Sequence, residues 1–174
     1  MKLAMLLTAS FGTLLSDGVC QSAPQQQLGW KEYVYSSAGF AITLPHDPNP
    51  HRDPTMPEMT AYTVHLSPQA AFTLRVSSQT RDCPATLKQL KDGALAGKQP
   101  GLVAGSLKDV SVSGRPGVEW EFVAQPGRKQ YERYICTEGK FYFFAASWPS
   151  SQRKPQSVER MVNSFRFLSA AGVQ

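Results

Sequence analysis

Beyond its first residues, the sequence has no apolar run that approaches the roughly 20 residues needed to span a bilayer. It also lacks internal repeats, low-complexity tracts and blocks of like charge, although 18% of its residues are charged and its formal net charge is +5. These absences exclude a disordered tail, a coiled coil and a collagenous repeat. Because the cations are scattered along the chain, a nucleic-acid-binding surface is not expected either.

The N-terminus has the pattern of a secretory signal. A short charged start leads into an apolar stretch over residues 3–15, and small residues follow before a polar segment that begins at Pro24. An apolar stretch of this length is typical of a signal peptide rather than of a membrane span. The pattern predicts a signal over residues 1–23, export to the periplasm or the extracellular space, and a single domain over residues 24–174.

Cysteine is scarce, with three in 174 residues. Lipid anchoring through Cys20 is not expected, because Asp17 occupies the position where a lipobox has an aliphatic side chain, and a charge fits an apolar pocket badly. Loss of Cys20 with the signal leaves Cys83 and Cys136 as a pair in an oxidising compartment. They can form a disulfide or remain two separate buried thiols, since the sequence does not show whether their side chains meet.

The first half of the domain alternates strand-forming runs with turn residues, and the pattern predicts strands over residues 31–35, 40–44, 60–66 and 71–77. Five prolines between residues 45 and 57 predict a surface loop that forms neither a ladder nor a helix. Asp82 and Pro84 suit the start of a helix, as a cap and as a first-turn residue. The apolar stripe of this helix is predicted to comprise Leu87, Leu90, Ala94 and Leu95.

The second half has the pattern of a meander, with strands predicted over residues 102–113, 117–125, 129–136 and 140–148. Residues 141–146 are apolar on both faces, which indicates a sheet covered on both sides. Pro155 opens a final helix, and residues 165–168 return as a short strand. This order of elements predicts an α+β fold: a three-layer α/β/α sandwich with a mainly antiparallel sheet of about six or seven strands and one helix on each face.

Three short motifs are similar to those of a known family. Residues 30–33 and 39–45 resemble its opening strand, turn and GF-x-(I/V)-x-LP pattern; residues 113–121 resemble a GxPGxEFE hairpin, and residues 162–168 a closing SF-x-x-L. In order and spacing, the mature chain resembles the PsbP-like family, and in particular its bacterial secreted DcrB-type branch. The resemblance implies a three-layer sandwich and a non-catalytic adaptor or binding module, and it carries over no catalytic residue.

The sharpest local cluster of metal-ligating side chains lies in the proline-rich loop, where His46, His51 and Asp53 could bind Zn²⁺ or Mn²⁺. Their spacing matches no recognised metal signature, and Arg52 opposes a cation. The alternative is a solvated loop, and we expect no metal or cofactor. Two further carboxylates, Glu119 and Glu121, share one face of a predicted strand. They form either an acid–base pair or cross-strand pairs with basic residues of the next strand.

Aromatic residues are concentrated on the meander, where they line a groove for an apolar ligand or form the core. They are Trp120, Phe122, Tyr131, Tyr134, Phe141, Tyr142, Phe143, Phe144 and Trp148. Trp30 and Trp148, which lie near strand ends, are the predicted contacts with a partner.

These patterns together predict an exported, monomeric, non-enzymatic PsbP-like domain that binds an unidentified protein or envelope partner. The alternative is a periplasmic protein that binds a small ligand in the aromatic groove, or a metal in the loop that contains His46, His51 and Asp53.

Overall fold

A seven-stranded antiparallel sheet forms the centre of the fold. The computed structural model describes residues 29–78, 82–98, 101–137 and 139–168, so the predicted signal peptide and Cys20 lie outside the described residues. In their order across the sheet, the strands are β3 (His51–Arg52), β4 (Met59–Ser67), β5 (Ala70–Ser77), β9 (Lys140–Pro149), β8 (Arg128–Thr137), β7 (Arg115–Gln125) and β6 (Lys108–Val112).

A second, smaller sheet and two helices complete the fold. The small sheet has the order β1 (Lys31–Tyr35), β2 (Phe40–Leu44) and β10 (Arg166–Phe167). The helices are α1 (Cys83–Gly93), which continues into a π-helical turn over Ala94–Lys98, and α2 (Gln156–Ser164). Neither helix combines the length and apolar character needed to cross a bilayer, and this holds for all the residues that the structure describes.

The central strand β9 is buried on both faces, as its sequence predicts. Phe141 and Phe143 belong to one buried cluster, which α1 covers, whereas Tyr142 and Phe144 belong to a second cluster on the opposite face. That second cluster is covered by α2 and by β2 of the small sheet. Because successive side chains of a strand point to opposite faces, this single strand contributes to both cores. The predicted α+β sandwich is confirmed, with the small sheet as an additional element beside α2.

Three details differ from the sequence-based predictions. The proline-rich loop contains the two-residue strand β3, because His51 and Arg52 lie between prolines and keep free N–H groups for pairing with β4. The strand predicted from residue 102 begins only at Lys108, after a turn in which the Ser106 N–H donates to the Val103 carbonyl at 3.1 Å. Leu95 is 68% exposed, since the π-helical turn shifts it away from the apolar stripe.

Cys83 and Cys136 are joined by a disulfide in the structure. Cys83, the first residue of α1, is bonded to Cys136 of β8, and the two positions are 53 residues apart in sequence. Cys136 is fully buried in the cluster beneath α1. The disulfide therefore ties the start of α1 covalently to the central sheet.

Replacing both cysteines, Cys83→Ala with Cys136→Ala, should lower the free energy of unfolding by about 4 kcal/mol, because the unfolded chain regains the freedom of a 53-residue loop. Urea unfolding of the oxidised protein and of the double variant measures the difference. Reduction of the wild-type protein should cost a similar amount. Equal stability of the oxidised and reduced forms would show that the bond does not stabilise the fold.

Candidate functional site

A cleft, here named the α1 cleft, opens between α1 and residues 56–59 on the face of the sheet that carries Phe141 and Phe143. Its volume is about 480 Å³, within the range of about 300–1,000 Å³ that is typical of ligand pockets. Most of the side chains around it are apolar or aromatic. The residues that line it are Met56, Glu58, Met59, Thr86, Gln89, Leu90, Gly93, Ala94, Trp120, Tyr134, Phe141 and Phe143.

The floor of the α1 cleft is a row of stacked rings from three neighbouring strands. The ring centroids of Trp120 and Tyr134 are 4.9 Å apart, and those of Tyr134 and Phe143 are 4.6 Å apart with an angle of 5° between the planes. These separations equal the spacing of strands in a sheet, so the rings stand side by side above β7, β8 and β9. Since both faces of the Tyr134 ring are covered by its neighbours, this ring presents its edge to the cleft.

Arg75 closes the row at the β5 end. Its guanidinium carbon lies 5.3 Å from the centroid of the Phe143 ring, a cation–π contact that covers the remaining face of this ring. The Arg75 side chain also forms an ion pair with Asp53. One arginine thus connects the aromatic floor to the segment that carries Met56 and Met59.

Asp53 organises that segment. One carboxylate oxygen accepts hydrogen bonds from the Thr55 N–H at 2.7 Å, the Thr55 hydroxyl at 2.6 Å and the Met56 N–H at 3.1 Å, while the other oxygen pairs with Arg75. Burial raises the pKa of Asp53, but the hydrogen bonds from Thr55 and Arg75 outweigh it and hold that pKa well below its usual range. The carboxylate is therefore a fixed part of the cleft wall.

The three candidate metal ligands of the loop have different surroundings. His46 and His51 are exposed, whereas Asp53 is turned inward and both its oxygens are engaged. Within the described part of the chain, no group of three or more His, Cys, Asp or Glu side chains is placed to hold a metal ion.

The opposite wall is α1, which begins as its sequence predicts. The Asp82 side chain accepts a hydrogen bond from the Ala85 N–H at 3.1 Å, and Pro84 occupies the first turn. Leu87 is the buried residue of this helix, so little apolar surface attaches it to the sheet. The disulfide at Cys83 and the ion pair of Lys91 with Asp109 at 2.9 Å supply further attachment.

Two buried acids, Glu132 of β8 and Glu119 of the neighbouring strand β7, lie on opposite faces of the sheet. Glu132 is on the cleft side, where it accepts hydrogen bonds from the Gln130 amide at 2.9 Å and the Tyr134 hydroxyl at 2.8 Å. Burial raises the pKa of Glu132, and these hydrogen bonds offset only part of the effect. The indole N–H of Trp120 lies near Glu132 but makes no hydrogen bond of ordinary geometry with the described residues.

Glu119, on the other face, has strong partners. It accepts from the Tyr131 hydroxyl at 2.6 Å and forms ion pairs with Arg133 at 2.6 Å and Lys108 at 2.9 Å. Burial raises the pKa of Glu119, but the bonds from Tyr131 and Lys108 and the charge of Arg133 outweigh it and lower the pKa. The cross-strand pairing of Glu119 with Arg133 is one of the two alternatives that the sequence left open.

Glu121, the other member of the predicted carboxylate pair, has a separate partner. It binds Lys154 at 2.9 Å, near the start of α2. Glu119 is thus buried beside two cations, and Lys154 lies between Glu121 and Glu159, 3.8 Å from the carboxylate of Glu159. The arrangement is that of structural ion pairs.

The two tryptophans predicted as partner contacts have different environments. Trp148 is fully buried, because it lies on the face of β9 that carries Tyr142 and Phe144, so it is unavailable for surface contact and this prediction is wrong. Trp30 is partly exposed, and the Arg160 guanidinium lies 4.3 Å from its ring centroid on the surface of α2.

The predicted aromatic groove is divided by the alternation of the strands. Trp120, Tyr134, Phe141 and Phe143 line the α1 cleft, while the other members face the second core or lie outside the cleft. The i, i+2 spacing of Phe141 and Phe143 was the signal that could have separated the two sets. Sequence reasoning missed the Asp53–Arg75 pair, because the two residues are 22 positions apart and meet only through β-pairing.

Comparison with known proteins places this architecture among solved folds. No family model and no curated protein matches the sequence. The solution structure of cyanobacterial PsbP (CyanoP) from Synechocystis sp. PCC 6803 is similar, with a TM-score of 0.56, 11% sequence identity, and coverage of 86% of this chain and 98% of that protein.

A crystal structure from Bacteroides thetaiotaomicron VPI-5482 is also similar, with a TM-score of 0.54, 12% identity and coverage of 81% of this chain. The chain spans 49% of the length of that protein. At these identities the comparisons show a PsbP-like fold alone. The narrower resemblance to the DcrB-type branch stays a prediction.

The two buried acids give opposite predictions for the same substitution. Glu132→Gln should raise the free energy of unfolding at pH 7 by about 0.5–2 kcal/mol, because it removes the charge that burial disfavours. The stability contributed by wild-type Glu132 is complete below the usual pKa of 4.5 and is lost as pH rises through the raised value, so the gain should shrink towards pH 4.

Glu119→Gln is the matched control and should lower the free energy of unfolding at pH 7 by about 3 kcal/mol, because it leaves Arg133 without its partner. Wild-type Glu119 contributes stability above pH 4.5 that is lost as pH falls, so this deficit should also shrink in acid. Urea unfolding at pH 4 and pH 7 measures both. If both substitutions change the free energy of unfolding at pH 7 in the same direction, the opposite pKa directions given for Glu132 and Glu119 are contradicted.

Proposed function

We propose that this chain is an exported, non-catalytic binding domain whose partner, a protein or another envelope component, places an apolar group in the α1 cleft. The single observation that carries the proposal is the cleft itself: a volume of about 480 Å³ beside an exposed wall of α1, above a preformed row of rings. Preformed apolar clefts are the usual form of binding sites in proteins.

The polar groups around the cleft support binding rather than catalysis. Among the described residues, the lining includes no histidine, cysteine, serine, lysine or arginine. The hydroxyl of Tyr134 is held by Glu132, and Glu58, Thr86 and Gln89 complete the polar lining. A nucleophile beside a base, or an acid beside a base, would be needed for most hydrolytic chemistry.

Export is supported by two features. The N-terminal pattern is that of a secretory signal, and the Cys83–Cys136 disulfide suits an oxidising compartment. A second candidate function is the binding of a free small ligand, which the volume of the α1 cleft favours.

Filling the cleft tests the proposal. Gly93 lines it within α1 and has helical backbone angles, so Gly93→Leu should occupy the space at no cost to the helix. Ala85→Leu adds the same side chain at an exposed position of α1 outside the cleft and serves as the matched control. Both variants should unfold at a urea concentration equal to or above that of the wild-type protein.

Native mass spectrometry of the exported protein, purified without detergent, provides the first measurement. We expect a stoichiometric adduct on the wild-type protein and on Ala85→Leu, and none on Gly93→Leu. A protein partner would instead be captured by a photoreactive residue at Gln89, with the cross-link lost in Gly93→Leu. Adducts or cross-links that persist in Gly93→Leu, or the absence of both from the wild-type protein, would contradict binding in the α1 cleft.

A further inference from the structure

The chemistry around the α1 cleft narrows what can enter it, on the basis of the proposed function. Both faces of the Tyr134 and Phe143 rings are covered, since Tyr134 lies between Trp120 and Phe143, and Phe143 lies between Tyr134 and Arg75. A cation–π site needs an open ring face, and these two rings do not offer one. They present C–H groups to the cleft; the Tyr134 hydroxyl already binds Glu132, and the unpartnered indole N–H of Trp120 is buried.

A group that rests on this floor must therefore be apolar and without polar atoms. Burying an unpartnered hydroxyl, amide or charge there would cost more than the contacts return. Met56, Met59 and Leu90 border the same space, and their unbranched or flexible side chains adapt to an aliphatic group of variable shape. These features select a flexible hydrocarbon chain rather than a polar ring system.

The charge at the rim of the cleft favours one charge on the part of the ligand that lies outside the floor. Glu58 is the one formally charged side chain among the described residues that line the cleft. It is exposed, and it forms no ion pair with any residue in the described ranges. The nearby cation Arg75 is neutralised by Asp53. Although the whole chain has a formal charge of +5, the described residues that line the cleft thus carry one negative charge and no positive charge.

We propose that the α1 cleft binds a single-chain amphiphile with a cationic head group, its aliphatic chain over the aromatic floor and its head beside Glu58. The ring edges, which carry partial positive charge, keep the head away from the floor. The carboxylate of Glu58 attracts the head at the rim and repels an anionic one. A fatty acid of the same chain length therefore binds less well.

Two probes with the same ten-carbon chain test this directly: decyltrimethylammonium and decanoate. Isothermal titration calorimetry on the purified chain at pH 7 and about 0.15 M salt screens the long-range field of the protein and leaves the contact at the rim. We expect the cation to bind the wild-type protein about 5–10-fold more tightly than the anion, as an exposed ion pair allows. Gly93→Leu should abolish binding of both probes, and Ala85→Leu should change neither.

The Glu58→Gln variant tests the contribution of the head group to binding separately from that of the aliphatic chain. It should retain binding of the cation at reduced affinity and bring the ratio of the two affinities close to one. A preference that survives in Glu58→Gln would show that ring faces hold the cation, and decanoate binding as tight as that of the cation in the wild-type protein would contradict the charge argument. Either result overturns the inference.

Failure of this inference is distinguishable from failure of the proposed function. If neither probe binds but an adduct or a cross-link at Gln89 still depends on Gly93, the α1 cleft binds a different apolar group and only the ligand class is wrong. If the probes fail and no such adduct or cross-link forms, the cleft is not the binding site and both proposals fall.

Discussion

The alternation of buried side chains along β9 sets the positions of both helices and of the small sheet. This strand lies between β5 and β8, at the middle of the seven-stranded sheet, and its residues Phe141 to Phe144 are buried on alternating faces. A strand with two apolar faces must be covered on both. One cover is α1 and the other is α2 with the small sheet, so each helix has its position because β9 has no face that tolerates water.

The elements packed on the two faces of the sheet differ in how much of it they bury, and this difference leaves the α1 cleft open. The second core continues through Phe40, Ile42, Met161 and Phe165, and it closes over its face of the sheet. Among the described residues, the first core is covered by the short helix α1, of which Leu87 is the buried residue, and by loop side chains that include Met56, Leu102 and Leu107. Aromatic rings that would otherwise be covered by a longer helix are instead covered by each other, and the space beside them remains open.

Charged side chains also contribute to this packing, and their effect on the stability of the fold depends on their partners. Arg75 contacts the Phe143 ring and forms an ion pair with Asp53, so it stabilises both the floor and the wall of the cleft. Glu119 has cations within 3 Å, whereas Glu132 has neutral donors. Burial of a carboxylate is compatible with stability when charge and hydrogen bonds replace water, and it lowers stability where only part of that replacement is present.

The local elements and the class of fold can be read from the amino-acid pattern. Alternating patterns placed β4, β5, β8 and β9 within one or two residues of their observed bounds, and Asp82 and Pro84 marked the start of α1, because strand alternation and helix capping act over a few positions. Which distant residues meet depends on the three-dimensional packing. Asp53 reaches Arg75, Cys83 reaches Cys136, and Trp148 is buried, because sheet pairing and the packing of both covers set these distances across separations that no local pattern records.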